Sequence, residues 1–244
     1  MSGVNASQVS EYVLAMFLAL SRNIPQMIAD KNEKIWHSRK GELYTPRELR
    51  GSTVGIVGYG SIGRQIARLL QPFSVQILAS KANAMDPVDK GFSFAGQGDP
   101  EGDLFTRLYP QQALKTMLKD CDFVAVTVPK TPQTNNLINK KHFEAMKETA
   151  FIVDISRGGV IDHDALYKAL EENQIAGAAL DVFPMEPLPE SDPIWDLPNL
   201  IISPHIAGYS SEYNNRAIDF FLKNINNYLT ESELFNLVEL DKGY

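Results

Sequence analysis

The sequence predicts an α/β fold built on a doubly wound parallel sheet. Three observations predict it: short apolar runs recur between residues 53 and 202, helical segments separate them, and a glycine-rich turn joins the first run to the first of those helices. The runs at 53–57, 75–78, 123–127, 150–154, 178–180 and 200–202 are almost continuously apolar, as strands covered on both faces must be. Helical patterning fills 62–70, 111–118, 140–146, 164–172 and 212–229. Strand–helix alternation of this kind requires right-handed crossovers onto a parallel sheet.

Composition narrows the function classes. The chain has 244 residues, 44% of them apolar, long enough to bury a substantial core. Thirty acidic against 23 basic side chains give a net charge of −7, so no surplus of Lys and Arg is available to grip nucleic acid through phosphates. The longest apolar run, residues 12–20, is far shorter than the ~20 residues a membrane span needs. The first basic residue, Arg22, follows that run, which fits a signal peptide poorly. A single cysteine, Cys121, cannot form an internal disulfide, and a reducing, cytoplasmic location is the simplest expectation.

Taken in order, the elements begin with an N-terminal helical arm over about 7–28. Ser7 or Asn5 is expected to cap it, Glu11 to sit in its first turn, and Pro25 to end or kink it. Val9, Val13, Phe17 and Leu20 form one apolar stripe, while Leu14 and Leu18 carry apolar surface onto a neighbouring face. Either the chain's own core or a second copy could cover that arc. Asp162 is placed to cap the helix beginning near Asp164. The stretch 82–110, rich in Gly, Asp and Pro, breaks the rhythm and reads as a surface excursion.

Gly58-Tyr59-Gly60-Ser61-Ile62-Gly63 has the G-x-G-x-x-G form between a strand and a helix, the setting of a Rossmann-type dinucleotide site. Gly58 permits the turn, Gly60 lets backbone approach a pyrophosphate, and Gly63 lets helix and strand pack closely. The N–H groups of Ser61 and Ile62 would face the phosphates. An acid is expected about 20 residues on for NAD, but the sequence there is Ser80-Lys81. A hydroxyl and a cation favour the 2′-phosphate of NADP, with NAD as the alternative.

Three further segments bring polar groups to strand ends, where open α/β sheets bind ligands. They are Ser156-Arg157-Gly158-Gly159, the run from Asp181 to Pro187 containing Glu186, and Ser203-Pro204-His205 through Gly208. Of the four histidines, His205 alone lies between a buried strand and a glycine, whereas His37, His142 and His163 read as surface or helix-start residues.

With Gly3-Val4-Asn5-Ala6 and the stretch from Pro129 through Thr134, these segments resemble the D-isomer-specific 2-hydroxyacid dehydrogenase family, the group of phosphoglycerate, glyoxylate/hydroxypyruvate and D-lactate dehydrogenases. The resemblance implies a catalytic trio of Arg157, Glu186 and His205, Asp181 near the nicotinamide, and Pro129 and Thr134 along the cofactor cleft. It implies hydride transfer between the nicotinamide and a small 2-hydroxy or 2-keto acid. An imidazole can supply the proton near neutrality, a carboxylate can fix its tautomer, and a guanidinium can clamp the substrate carboxylate. It also implies a homodimer through the N-terminal helix, with residues 1–209 as the dinucleotide-binding domain and 210–244 as a remnant of the substrate domain. Because the family carries a further N-terminal part of the substrate domain, the alternative expectation is a catalytically inactive dinucleotide-binding or dimerisation module. Asp154 stands where the family commonly has Asn, and this places an added negative charge near Arg157.

Overall fold

Strand β1 (Thr53–Val57) is apolar at every position but its first, so it is satisfied only inside a sheet, and it lies there between two other strands. The computed structural model describes residues 2–89 and 91–238, apart from the Glu42 side chain. Along the chain the strands are β1, β2 (Gln76–Lys81), β3 (Arg107–Pro110), β4 (Phe123–Val126), β5 (Phe151–Asp154), β6 (Gly177–Leu180) and β7 (Leu200–Ile202). All seven pair in parallel in the order β3-β2-β1-β4-β5-β6-β7. The order reverses between β1 and β4, which opens a crevice beyond their carboxyl ends.

The helices are α1 (Ala6–Ser21), α2 (Ile24–Glu33), α3 (Lys40–Leu43), α4 (Ser61–Leu70), α5 (Leu114–Leu118), α6 (Lys140–Phe143), α7 (His163–Glu171) and α8 (Tyr213–Leu229). One face of the sheet is covered by α1 and α4, the other by α5, α6 and α7. The α1 stripe of Val9, Val13, Phe17 and Leu20 is buried against this chain's own β-strands and α4. Phe17 and Phe123 meet with ring centroids 5.3 Å apart, and truncating a ring so placed costs ~3–5 kcal/mol. The exposed apolar side chains of the arm lie instead on and after α2, at Met27, Ile28, Ile35 and Trp36.

Several expectations are corrected. The arm is two helices: the chain turns at Arg22–Asn23, where Asn23 adopts φ 56°, and Pro25 occupies the first turn of α2, where its missing N–H costs nothing. Neither Asn5 nor Ser7 caps α1 through its side chain, and Glu11 lies beyond the first turn. Ser7 Oγ accepts from Gln97. Asp162 caps α7 as expected, accepting from the Ala165 N–H at 3.1 Å. His142 lies in the first turn of α6, one of the two placements expected, and is buried there, its Nδ1 accepting from the Asn139 N–H in a reciprocal cap. Burial and the nearby charges of Lys141 and Lys115 lower its pKa.

The largest correction concerns residues 82–110. They form the crossover between β2 and β3 and end in a strand that extends the sheet. Arg64 of α4 is fully buried beneath this crossover and donates to the carbonyls of Asp99 and Pro87, each at 2.5 Å. Asp99 accepts from the Tyr59 hydroxyl at 2.6 Å and from the N–H groups of Gly102, Asp103 and Leu104. The Arg64 guanidinium also stacks 4.8 Å over the Tyr59 ring. Phe92, at 2% exposure, joins Val4 and Phe220 in a small separate core linking the crossover to α8.

Candidate active site

The crevice at the strand ends is a cleft of ~1730 Å³ lined by Gly60, Ser61, Ile62, Pro129, Arg157, Asp181, Glu186 and His205, among others. Of the thirteen expected site residues these eight share one surface. Gly58, Gly63, Ser80, Lys81 and Thr134 lie outside its lining.

The glycine turn has the geometry its chemistry requires. Gly58 has φ 105°, and a Cβ on Gly63 would stand 2.3 Å from the Gly58 carbonyl oxygen, so the helix can approach the strand only without it. Gly60 is different: a Cβ there would meet nothing within 4 Å. That open space faces the first turn of α4, where the Ser61 and Ile62 N–H groups have no partner within the helix. Space, free N–H donors and the positive end of the helix dipole together fit a pyrophosphate.

Ser80 and Thr134 act beneath this surface. The Ser80 carbonyl accepts from the Gly58 and Tyr59 N–H groups, and its side chain is buried. The Lys81 ammonium donates to the Asp86 carbonyl at 2.6 Å, at the end of β2. Thr134 Oγ1 donates to the Pro129 carbonyl at 2.7 Å and so shapes the turn that carries Pro129.

At the other end of the cleft, Glu186 Oε2 lies 2.7 Å from His205 Nδ1, and Glu186 Oε1 accepts from the Phe183 N–H at 2.9 Å. Burial works against the Glu186 charge. The hydrogen bonds from His205 and Phe183, with the charges of His205 and Arg157 added, nonetheless hold its carboxyl below the usual range. An ionised carboxylate only accepts, so His205 Nδ1 carries the hydrogen and Nε2 is left to exchange a proton. Arg157 is exposed on the same cleft, its guanidinium donating to the Ser156 carbonyl. A Cβ on Gly158 would sit 1.8 Å from the Phe183 carbonyl oxygen, so the Arg157 and Glu186 loops touch backbone to backbone.

Two buried carboxylates on adjacent strands brace these loops, and sequence reasoning missed that role. Asp154, at the end of β5, accepts from the Ser156 N–H at 2.9 Å and hydroxyl at 2.5 Å. Burial, opposed by those bonds and reinforced by Asp181, pushes its carboxyl up to about 7. The added charge expected near Arg157 is therefore only partial at neutrality. Asp181 accepts from the Ser203 hydroxyl and from the N–H groups of Ile206 and Ala207. Its carboxylate is committed to the His205 loop while the residue lines the cleft. The contacts span 22 to 26 residues, so no local motif announces them.

Among the described residues no group of three or more His, Cys, Asp or Glu is placed to hold a metal, and no helix is long and apolar enough to cross a membrane. The fold and the glycine turn define a dinucleotide-binding α/β domain. The profile described as "D-isomer specific 2-hydroxyacid dehydrogenase, NAD binding domain" matches residues 14–207. The chain belongs to the D-isomer specific 2-hydroxyacid dehydrogenase family, and the matched part is that family's NAD-binding domain.

Among its relatives, a glyoxylate reductase of Thermofilum pendens is 35% identical over 91% of this chain and 62% of its own length. A D-3-phosphoglycerate dehydrogenase of Synechocystis is 36% identical over 88% of this chain and 36% of its own length. The solved structure of a D-isomer specific 2-hydroxyacid dehydrogenase from Xanthobacter autotrophicus, in complex with NADPH and MES, covers all of this chain and 70% of that one, with a TM-score of 0.81 and 26% identity. The chain thus spans less than two thirds of the length of these two curated relatives.

Proposed function

We propose that the protein is an oxidoreductase that transfers a hydride between NADP and a small 2-hydroxy or 2-keto acid, working as a cytoplasmic homodimer. The observation that carries the reading is the 2.7 Å pairing of His205 with Glu186, half-exposed on the cleft that Arg157 and the glycine turn share. A nicotinamide bound there supplies or receives the hydride. His205 Nε2 passes a proton to or from the substrate oxygen, Glu186 keeps Nδ1 protonated, and Arg157 holds the substrate carboxylate through its planar fork.

The choice of NADP rests on the end of β2. The strand itself holds no acid, and Lys81, whose ammonium donates to the Asp86 carbonyl, brings a cation there. The dimer reading draws support from the exposed Met27, Ile28, Ile35 and Trp36 of the arm, an apolar cluster of the kind that marks an interface. Residues 1–209 form the dinucleotide-binding domain in this reading, and 210–244 belong to the substrate domain.

The test is a titration of the purified chain with NADPH and with NADH by nicotinamide fluorescence, followed by glyoxylate. NADPH binding and oxidation that vanish in His205→Ala support the reading. Binding without oxidation across a panel of keto acids reduces it to a cofactor-holding module, and light scattering that returns a monomer at micromolar concentration removes the dimer.

A further inference from the structure

His205 stands on a left-handed backbone, φ 57°, a conformation that strains an L side chain. Something must hold it there, and the agent is Asp181. The two N–H groups that follow His205, on Ile206 and Ala207, converge on the Asp181 carboxylate, each at 2.8 Å. Consecutive N–H groups after a left-handed residue form a concavity suited to an anion, and here a buried carboxylate fills it.

Asp181 is itself held. The Ser203 hydroxyl donates to Asp181 Oδ1 at 2.5 Å, and Tyr12 Oη lies 2.6 Å from Ser203 Oγ. A serine hydroxyl has one hydrogen, and it is spent on Asp181, so Tyr12 is the donor to Ser203. One helical turn earlier, Gln8 of α1 donates to the Gly208 carbonyl at 3.2 Å. Residues four apart on a helix share a face, so α1 grips the His205 loop at both ends.

We propose that Tyr12 is a positioning residue for His205, acting through Ser203 and Asp181, so that the N-terminal helix sets the geometry of the proton-transferring side chain. The consequence for turnover rests on the functional reading above, whereas the geometric claim does not. A hydroxyl removed from Tyr12 leaves Ser203 free to rotate away from Asp181, and the anchor of the left-handed residue loosens.

The test uses the full chain labelled with ¹⁵N-histidine, with the His205 ring resonances assigned through His205→Gln. In Tyr12→Phe the His205 ring signals are expected to shift and broaden toward an average of tautomers, with those of His37, His142 and His163 unmoved. Ser203→Ala should reproduce this, Ser203→Thr should restore the parent spectrum, and Tyr167→Phe, which removes an exposed hydroxyl elsewhere, should leave it unchanged. In protein that turns over, kcat falls about 5- to 20-fold in Tyr12→Phe while the KM for the dinucleotide holds. His205 signals that superimpose on the parent in Tyr12→Phe overturn the proposal, whatever Ser203→Ala shows. A chain that shows no turnover but passes the ring test overturns the functional reading and leaves the positioning role standing. If Tyr12→Phe fails to fold, the two Ser203 variants decide.

Discussion

The two ends of this sheet use the same device for different purposes. Beside β2, Asp99 gathers the Tyr59 hydroxyl and three successive loop N–H groups. Beyond β6, Asp181 gathers the Ser203 hydroxyl and two loop N–H groups. Each is a buried carboxylate that converts a floppy connection into a fixed one. The difference lies in what the fixed loop presents. The Asp99 loop turns inward over a buried Arg64 and gives the crossover its shape. The Asp181 loop turns its imidazole outward, about half exposed, onto a cleft shared with a second carboxylate and a guanidinium. Chemistry requires that last step, an ionisable group braced from behind and open in front.

The largest effect should fall on the open end. His205→Ala removes the proposed proton carrier and is expected to lower turnover by about 10²- to 10⁴-fold, with dinucleotide binding unchanged by fluorescence. An equal loss in dinucleotide affinity would mean that the two ends are not separable.

Next comes the closed end. Asp99→Ala strands the Tyr59 hydroxyl and three N–H groups and is expected to cost ~3–5 kcal/mol in urea unfolding. Asp99→Asn should be milder and pH-dependent. Burial opposes the Asp99 charge, but the Tyr59 and backbone hydrogen bonds win and lower its pKa from 3.8. A depressed folded pKa gives stability that is full above the unfolded value and lost as pH falls through the folded one. The wild-type advantage over Asp99→Asn should therefore shrink below about pH 4.

Gly158→Ala probes the seam between the Arg157 and Glu186 loops. A Cβ 1.8 Å from the Phe183 carbonyl oxygen forces them apart, at ~1–3 kcal/mol and with a larger loss in kcat than in melting temperature. A variant as active as the parent would mean that the contact is incidental.

The smallest effect reverses sign. Burial raises the Asp154 carboxyl to about 7, above its unfolded 3.8. Stability from such a group is full below the unfolded value and declines as pH rises toward 7. Asp154→Asn keeps an acceptor for Ser156 without the charge, so it should be neutral near pH 4 and stabilising, by ~1 kcal/mol or more, at pH 8. Thermal melts carried from pH 8 down to below pH 3 compare the two buried acids directly: as pH falls, Asp154→Asn loses its advantage above pH 4, and Asp99→Asn gains on the parent only below it.

The central sheet was legible in the sequence because its strands are buried on both faces and carry continuous apolar runs. Six of seven were readable, with β1 and β7 matching to the residue. β3 was not, since Arg107 and Pro110 break its pattern and it is an edge strand reached by an irregular crossover. The pairing of His205 with Glu186 was legible through family resemblance, not spacing. The bracing was not legible at all: Tyr12 and Ser203 are 191 positions apart, and nothing about a tyrosine in an amphipathic helix marks it as a partner for a strand-end serine. Arg64 failed for the opposite reason. An arginine on a helix normally lies at the surface, and its burial here is tolerable because the distant Asp99 and Pro87 carbonyls and the Tyr59 ring meet its guanidinium.

The left-handed backbone at His205 also bears on how this protein responds to selection. Glycine or asparagine tolerates that conformation with less strain, so a library screened for thermal survival alone should gather both residues at position 205, each gaining a few tenths to 1 kcal/mol. Every such winner would lack the imidazole. On the proposed mechanism the stability optimum and the activity optimum of this position therefore lie in different amino acids, and a screen that reads only one of them will discard the other.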